Sequence, residues 1–173
     1  MTPSAEIRIV TSEDAKSALE YFAKLQAENL STIFRVDPLP TLEEEVAFLR
    51  SFEVRPNSNW FAAVSDGAIV GNLGIQADSR PQRSHVGDLG MSILSPFRSV
   101  GLGTRLWETA LSWAKSTDLR RIQLDVLETN SGAIRLYKRF GFSVDGRRPG
   151  DVLVADDYID MIQMSRAVHE NAV

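Results

Sequence analysis

The sequence predicts an α/β fold: a mixed, mostly antiparallel sheet with helices on both faces, in the order βααβββαβαββ. Three observations predict it. Short runs that alternate apolar and polar residues are interleaved with longer runs of helical period. Asp66-Gly67 sits between two β-like runs, a strong two-residue hairpin signal. A strand, a helix and another strand follow one another through residues 85–127, and such a crossover makes its two strands parallel.

Taken in order, "EIRIV" (residues 6–10) alternates as a strand. Thr11 or Ser12 then caps a helix whose apolar positions include Leu19, Phe22, Ala23, Leu25 and Leu30. "VDPLP" (36–40) breaks that pattern, and Thr41 with Glu44 forms a capping-box spacing that opens the next helix over 41–52. Residues 59–77 are the hairpin and 85–95 a further strand. Leu102, Leu106, Ala110, Leu111 and Ala114 recur at helical spacing. In "RIQLDVLE" (121–128), Ile122, Leu124 and Val126 share one face while Gln123 and Asp125 share the other. A helix from Asn130 or Ser131 to Phe140 stops at Gly141, a residue suited to the left-handed cap. "FSVDGRR" and "DYIDMIQMSR" supply the last two strands. No repeat or Pro/Gly/Ser-rich linker divides residues 1–173, so a single domain is expected.

Composition narrows the function. Nineteen Lys and Arg against 23 Asp and Glu leave a formal charge of −4, which argues against nucleic acid as the main partner. There is no cysteine, which removes disulfides, cysteine metal sites and thiol nucleophiles. His85 and His169 stand alone, so no metal is expected. "MTPSAEIRIV" lacks the basic start and apolar core of a signal peptide. No apolar run approaches the ~18 residues of a membrane span, so the expectation is a cytoplasmic protein without a membrane partner. The glycosylation sequon at Asn29-Leu30-Ser31 then carries no weight. Trp107 and Trp113 read as packing or subunit contacts, and "LEEE" (42–45) as a solvated helix face.

The informative stretch is "SPFRSVGLGTRLWETALSWA" (95–114), where Gly101 and Gly103 precede a helix. One reading is a plain turn. The other is an anion cradle: a helix N-terminus carries unpaired N–H donors and about half a positive charge, and glycine lets a phosphate approach closely. Arg98 and Arg105 add charge nearby. The dinucleotide-binding fingerprint would need a third glycine where Leu106 stands, and the phosphate-loop Gly-Lys-Ser/Thr is absent.

Arg98-Ser99-Val100-Gly101-Leu102-Gly103 matches (Gln/Arg)-x-x-Gly-x-(Gly/Ala), and "LDVLETNSGAIRLYKRFGF" (124–142) adds a strand, an asparagine, Ala-x-x-Leu-Tyr and Gly-Phe. Together, over residues 85–143, these resemble the two motifs of the GNAT N-acetyltransferase family. Ser99 stands where many members have glycine. The resemblance implies that main-chain amides within Ser99, Val100, Gly101, Leu102, Gly103, Thr104 and Arg105 bind the diphosphate of acetyl-coenzyme A. It implies that the pantetheine arm lies in a splayed parallel strand pair, against Met91, Ser92 and Ile93. Asn130 would contact the arm, and Ala133 and Tyr137 would flank the sulfur. Homodimers are common in the family, often through the last strands.

The chemistry sets further demands. An alkylamine with a pKa of about 10.4 is only about 4 × 10⁻⁴ neutral at pH 7, so a general base, direct or through water, or preferential binding of the neutral amine must offset roughly 4–5 kcal/mol. A donor near the sulfur helps the thiolate leave. Tyr137 is the residue assigned here, at a cost of about 2 kcal/mol if its pKa is the ordinary ~10 against ~8.5 for the thiol. Three carboxylates remain open as base. Asp125 matches an acidic residue that serves as base in relatives acting on peptide N-termini, Asp88 lies on the neighbouring strand, and Glu128 follows Asp125. The expected acceptor is a small primary amine (an amino acid, a polyamine or an amine-bearing toxin), with a peptide or protein N-terminus or lysine second and a non-catalytic acyl-coenzyme A sensor third. Segments 29–40 and 146–157 are expected to shape the acceptor site.

Overall fold

The computed structural model describes residues 5–28 and 38–169; the sequon, Leu30 and most of the 29–40 segment lie outside them. Seven strands form one sheet: β1 (Glu6–Ile9), β2 (Asn59–Ser65), β3 (Ala68–Ala77), β4 (Val86–Ile93), β5 (Arg121–Leu127), β6 (Ser143–Val154) and β7 (Asp157–Ala167). Their order across the sheet is β1-β2-β3-β4-β5-β7-β6. Every neighbouring pair is antiparallel except β4 with β5. The turn between β2 and β3 has positive φ at both Asp66 (50°) and Gly67 (77°), the backbone a two-residue hairpin requires.

Among the described residues four α-helices cover the sheet: α1 (Ala15–Ala27), α2 (Leu42–Val54), α3 (Leu102–Ala114) and α4 (Ser131–Arg139). Neighbouring residues of β2 separate the layers, because successive side chains point to opposite faces. Trp60 and Ala62 join the cluster with Tyr21, Leu25, Leu49 and Phe52 of α1 and α2. Phe61 and Ala63 join Leu106, Trp107, Ile122, Tyr137 and Met164 on the α3/α4 side.

Local signals explain the helix ends. Thr41 accepts from the Glu44 N–H at 3.3 Å and its own N–H donates to Glu44 at 2.8 Å, a closed capping box. At the end of α4 the Phe142 N–H donates to Tyr137 O and the Gly141 N–H to Lys138 O, both at 3.0 Å, with Gly141 at φ 82°. That is a Schellman ending, and its customary apolar contact is made by the Tyr137 and Phe142 rings, 5.6 Å apart.

Two expectations need correcting. The buried stripe of α1 is Ala15, Ala18, Tyr21 and Leu25; Ala23 is exposed. Tyr21 can be buried because its hydroxyl bonds Ser92 Oγ at 2.8 Å. Nor is "LEEE" wholly solvated, for Glu45 is 3% exposed on the face of Leu49 and Phe52.

Glu45 Oε1 has no partner among the described residues, and burial pushes the carboxyl above its ordinary value. The folded chain therefore holds this proton longer than the unfolded chain. The contribution to stability is full below the ordinary carboxylate value and is lost as pH rises through the raised one. Glu45→Gln is expected to raise Tm at neutral pH by roughly 2–4 °C, the shift for about 1 kcal/mol in a chain of this size, and to change little near pH 4. Melts at the two pH values check this.

Candidate active site

The sheet is parted at its centre. β4 and β5 pair only through Val86, Gly87 and Asp88 with Arg121, Ile122 and Gln123, although β4 runs on to Ile93 and β5 to Leu127. Main-chain direction alternates along a strand. Val86 O accepts from Asp78 N and Leu94 N donates to Val70 O, so the even residues of β4 face β3. Leu89, Met91 and Ile93 therefore turn their N–H and C=O groups toward β5. In the same way Glu128 N donates to Asp160 O and Arg121 N to His85 O, which leaves Asp125 and Leu127 facing β4. Past Asp88 and Gln123 the two strand edges thus confront each other inside the sheet without pairing to one another, although Ile93 O accepts from Arg98 Nε at 2.7 Å and Leu127 O from Asn130 N at 2.9 Å. Ser92 is not on this edge: its N–H bonds Asn72 Oδ1 at 3.1 Å.

At the mouth of this gap stands the N-terminus of α3. Its first main-chain bond is Arg105 N to Gly101 O, 3.2 Å. The N–H groups of Val100, Gly101, Leu102, Gly103 and Thr104 meet no acceptor among the described residues. Gly101 has φ 85° and open space where a Cβ would stand. Ser99 is also left-handed, at φ 60°, which explains why glycine suits its position. Gly103 plays a different part: a Cβ there would come within 3.3 Å of Leu136 and 3.5 Å of Ile93, so its absence lets α3 close on α4 and the end of β4.

The two arginines of the loop are engaged elsewhere. Arg98 donates to Glu28 Oε2 at 2.6 Å and to Ile93 O at 2.7 Å, and Arg105 donates to Ala5 O at 2.7 Å. A charge the sequence reading missed lies closer to the helix start, where Arg139 of α4 bonds Thr104 Oγ1 at 2.8 Å. Asn130 Oδ1 caps α4 through the Ala133 N–H at 3.2 Å, and both residues sit beside the end of β5.

Tyr137 is 7% exposed, and burial pushes its hydroxyl up to about 12. Full proton transfer to a thiolate of ~8.5 is then uphill by about 5 kcal/mol rather than 2, so a hydrogen bond is the help this phenol can offer. The three carboxylates differ in their partners. Asp125 is held bidentately by Arg148 at 2.8 and 3.3 Å, and Glu128 by Arg147 at 2.9 Å. Among the described residues Asp88 accepts only from the neutral amide of Gln123, at 2.7 Å, and it lines a polar groove of about 390 Å³ together with Arg55, Gln76 and Arg80. It lies in the last paired position before the strands part.

A second network was also missed. Tyr21 OH, Ser92 Oγ and Asn72 Oδ1 form a chain at 2.8 and 2.7 Å, tying α1 to β4 and β3. Among the described residues no cluster of His, Cys, Asp and Glu could hold a metal, and no helix is long and apolar enough to cross a membrane.

Comparison with known proteins agrees with this geometry. The profile of the Acetyltransferase (GNAT) family matches residues 20–142. The chain is 33% identical over 116 residues to the L-amino acid N-acetyltransferase AaaT of Escherichia coli K12, covering 65% of this chain and 70% of that protein. The acetyltransferase of GNAT family from Streptococcus pneumoniae superposes with a TM-score of 0.89 at 30% identity, over 95% of this chain and 99% of the other. A phosphinothricin acetyltransferase from Sinorhizobium meliloti, solved with AcCoA, shares the fold with a TM-score of 0.83 at 17% identity, over 98% and 90%. A sheet parted between parallel strands, with a bare helix start at its mouth, is the frame of an acyltransferase. The chain belongs to the GNAT acetyltransferase family and is an N-acetyltransferase.

Proposed function

We propose that the protein moves an acetyl group from acetyl-coenzyme A to the primary amine of a small molecule, an amino acid in the first instance, by direct transfer in a ternary complex. The observation that carries this reading is the parting of β4 from β5 beside the unbonded N–H groups of Val100 to Thr104. The residues present fit the cosubstrate, since a run of free amides suits a diphosphate and two strand edges not paired to one another suit the amides of its arm. Bound there, acetyl-coenzyme A supplies an activated acyl group and a thiol leaving group. The likeness to an L-amino acid N-acetyltransferase supports a small zwitterionic acceptor.

The chain's own groups then divide the work. Asp88 receives the ammonium proton, because its hydrogen bond is to a neutral amide whereas Asp125 and Glu128 are each held by an arginine. The Met91 N–H faces the gap beyond the last paired position and holds the developing charge on the carbonyl oxygen. The Tyr137 hydroxyl donates to the departing sulfur. The engagement of Asp125 by Arg148 also weighs against the peptide N-terminus reading, which would use that carboxylate as base.

Tyr137→Phe is expected to lower kcat by about 10- to 100-fold, the value of one hydrogen bond to a charged group, with KM for acetyl-coenzyme A nearly unchanged. Steady-state kinetics in both substrates check it. Thiol release from acetyl-coenzyme A across a panel of amino acids, polyamines and peptides tests the function itself. Turnover with amino acids is expected; turnover with peptides alone would transfer the assignment to the second reading, and none with any amine would leave the sensor.

A further inference from the structure

We propose that Glu28 is a positioning residue for the diphosphate cradle, and that Arg98 serves it as a strap rather than as a phosphate ligand. The inference rests on the acyl-coenzyme A reading above. Glu28 is the C-cap of α1, on the opposite layer of the sheet from α3. Its carboxylate nevertheless reaches the segment joining β4 to the cradle and takes three hydrogen bonds there. Oε1 accepts from the Ser95 N–H at 2.7 Å, and Oε2 from Ser95 Oγ at 2.8 Å and Arg98 Nη2 at 2.6 Å. Arg98 completes the loop by donating through Nε to Ile93 O at 2.7 Å. The main chain inside is wound tightly, with Phe97 N on Leu94 O at 2.9 Å and Arg98 N on Ser95 O at 3.2 Å.

The left-handed residues Ser99 and Gly101 come directly after this knot. Ser99 is an unfavourable residue for that conformation, so something outside the loop must hold it, and the knot supplies the hold. The bonds to Glu28 outweigh the upward effect of its burial and leave the carboxyl below its ordinary value, as expected for an anion that is stably paired in the fold. A preformed cradle binds its anion without first ordering the chain that forms it. Releasing Glu28 therefore weakens the diphosphate and leaves the thioester end untouched.

Kinetics with two acyl donors test this: acetyl-coenzyme A, and S-acetylpantetheine, which has the same thioester and arm but no diphosphate. Glu28→Gln is expected to raise KM for acetyl-coenzyme A about tenfold with kcat within about twofold, and to leave kcat/KM for S-acetylpantetheine as in the wild type. Ser95→Ala, which removes a single hydroxyl contact, should show the same pattern more weakly and serves if the glutamine variant does not fold. Equal losses with both donors would show a merely structural residue and overturn the proposal. Tighter binding of acetyl-coenzyme A by Glu28→Gln, from an Arg98 freed to meet the phosphates, would overturn it as well. A wild-type protein that uses neither donor would overturn the acyl-coenzyme A reading and this inference with it, whereas a variant equal to an active wild type overturns the inference alone.

Discussion

Asp88→Asn is expected to lower kcat/KM at pH 7 by about 10²-fold or more, the usual worth of a positioned general base. Asp125→Asn is expected to lower it by less than about threefold. The difference follows from what each carboxylate already holds. Asp125 lies under the Arg148 guanidinium, so taking up a proton would break a bidentate pair, while Asp88 gives up at most one bond from Gln123. The pH profile supplies a sharper readout. A base is needed because the acceptor is almost wholly ammonium at neutral pH, so the Asp88→Asn defect should shrink as pH rises toward the amine's own value near 10. A defect that stays constant with pH would assign Asp88 to acceptor binding. A larger loss at Asp125 would reverse the assignment.

The largest loss of stability is expected from Trp107→Ala. Trp107 is 2% exposed and lies at the junction of α3, α4 and the sheet. Its ring is 5.5 Å from Phe140 and 5.2 Å from Phe142, with the Arg166 guanidinium 5.5 Å above it. Truncation removes a large buried ring and leaves a cavity, at about 3–5 kcal/mol, against a total of about 5–15 kcal/mol for an ordinary domain. A fall in Tm of roughly 10 °C is expected. Trp113 is only partly buried and meets Phe61, so Trp113→Ala should cost clearly less. Calorimetry of the two variants decides, and equal losses would contradict the packing described for α3.

Features legible in the sequence were local ones. The Asp66-Gly67 turn, the Thr41/Glu44 box and the Gly141 stop each depend on a few adjacent residues whose conformational preferences act alone. The parallel β4/β5 pair was also legible, since an intervening helix leaves the chain little choice. What escaped were contacts between residues far apart in sequence. Nothing near Glu28 announces Ser95 and Arg98, and nothing near Tyr21 announces Ser92; the fold makes those neighbours. The insertion of β7 between β5 and β6 is of the same kind. For the candidate site, the face of Asp125 was legible from alternation, but its guanidinium partner 23 residues away was not. Arg98 shows the converse: its place in the motif was plain, and only the structure showed where its side chain goes.

Amide chemical shifts of the ¹⁵N-labelled protein during titration with coenzyme A test the central claim most directly. Free main-chain donors at the start of α3 should be the groups that meet the diphosphate. The largest shifts are therefore predicted at Val100, Gly101, Leu102, Gly103 and Thr104, and pantetheine alone should move the Leu89, Met91 and Ile93 amides while sparing that group. Shifts confined to other parts of the chain, or the same response of residues 100–104 to both compounds, would contradict it.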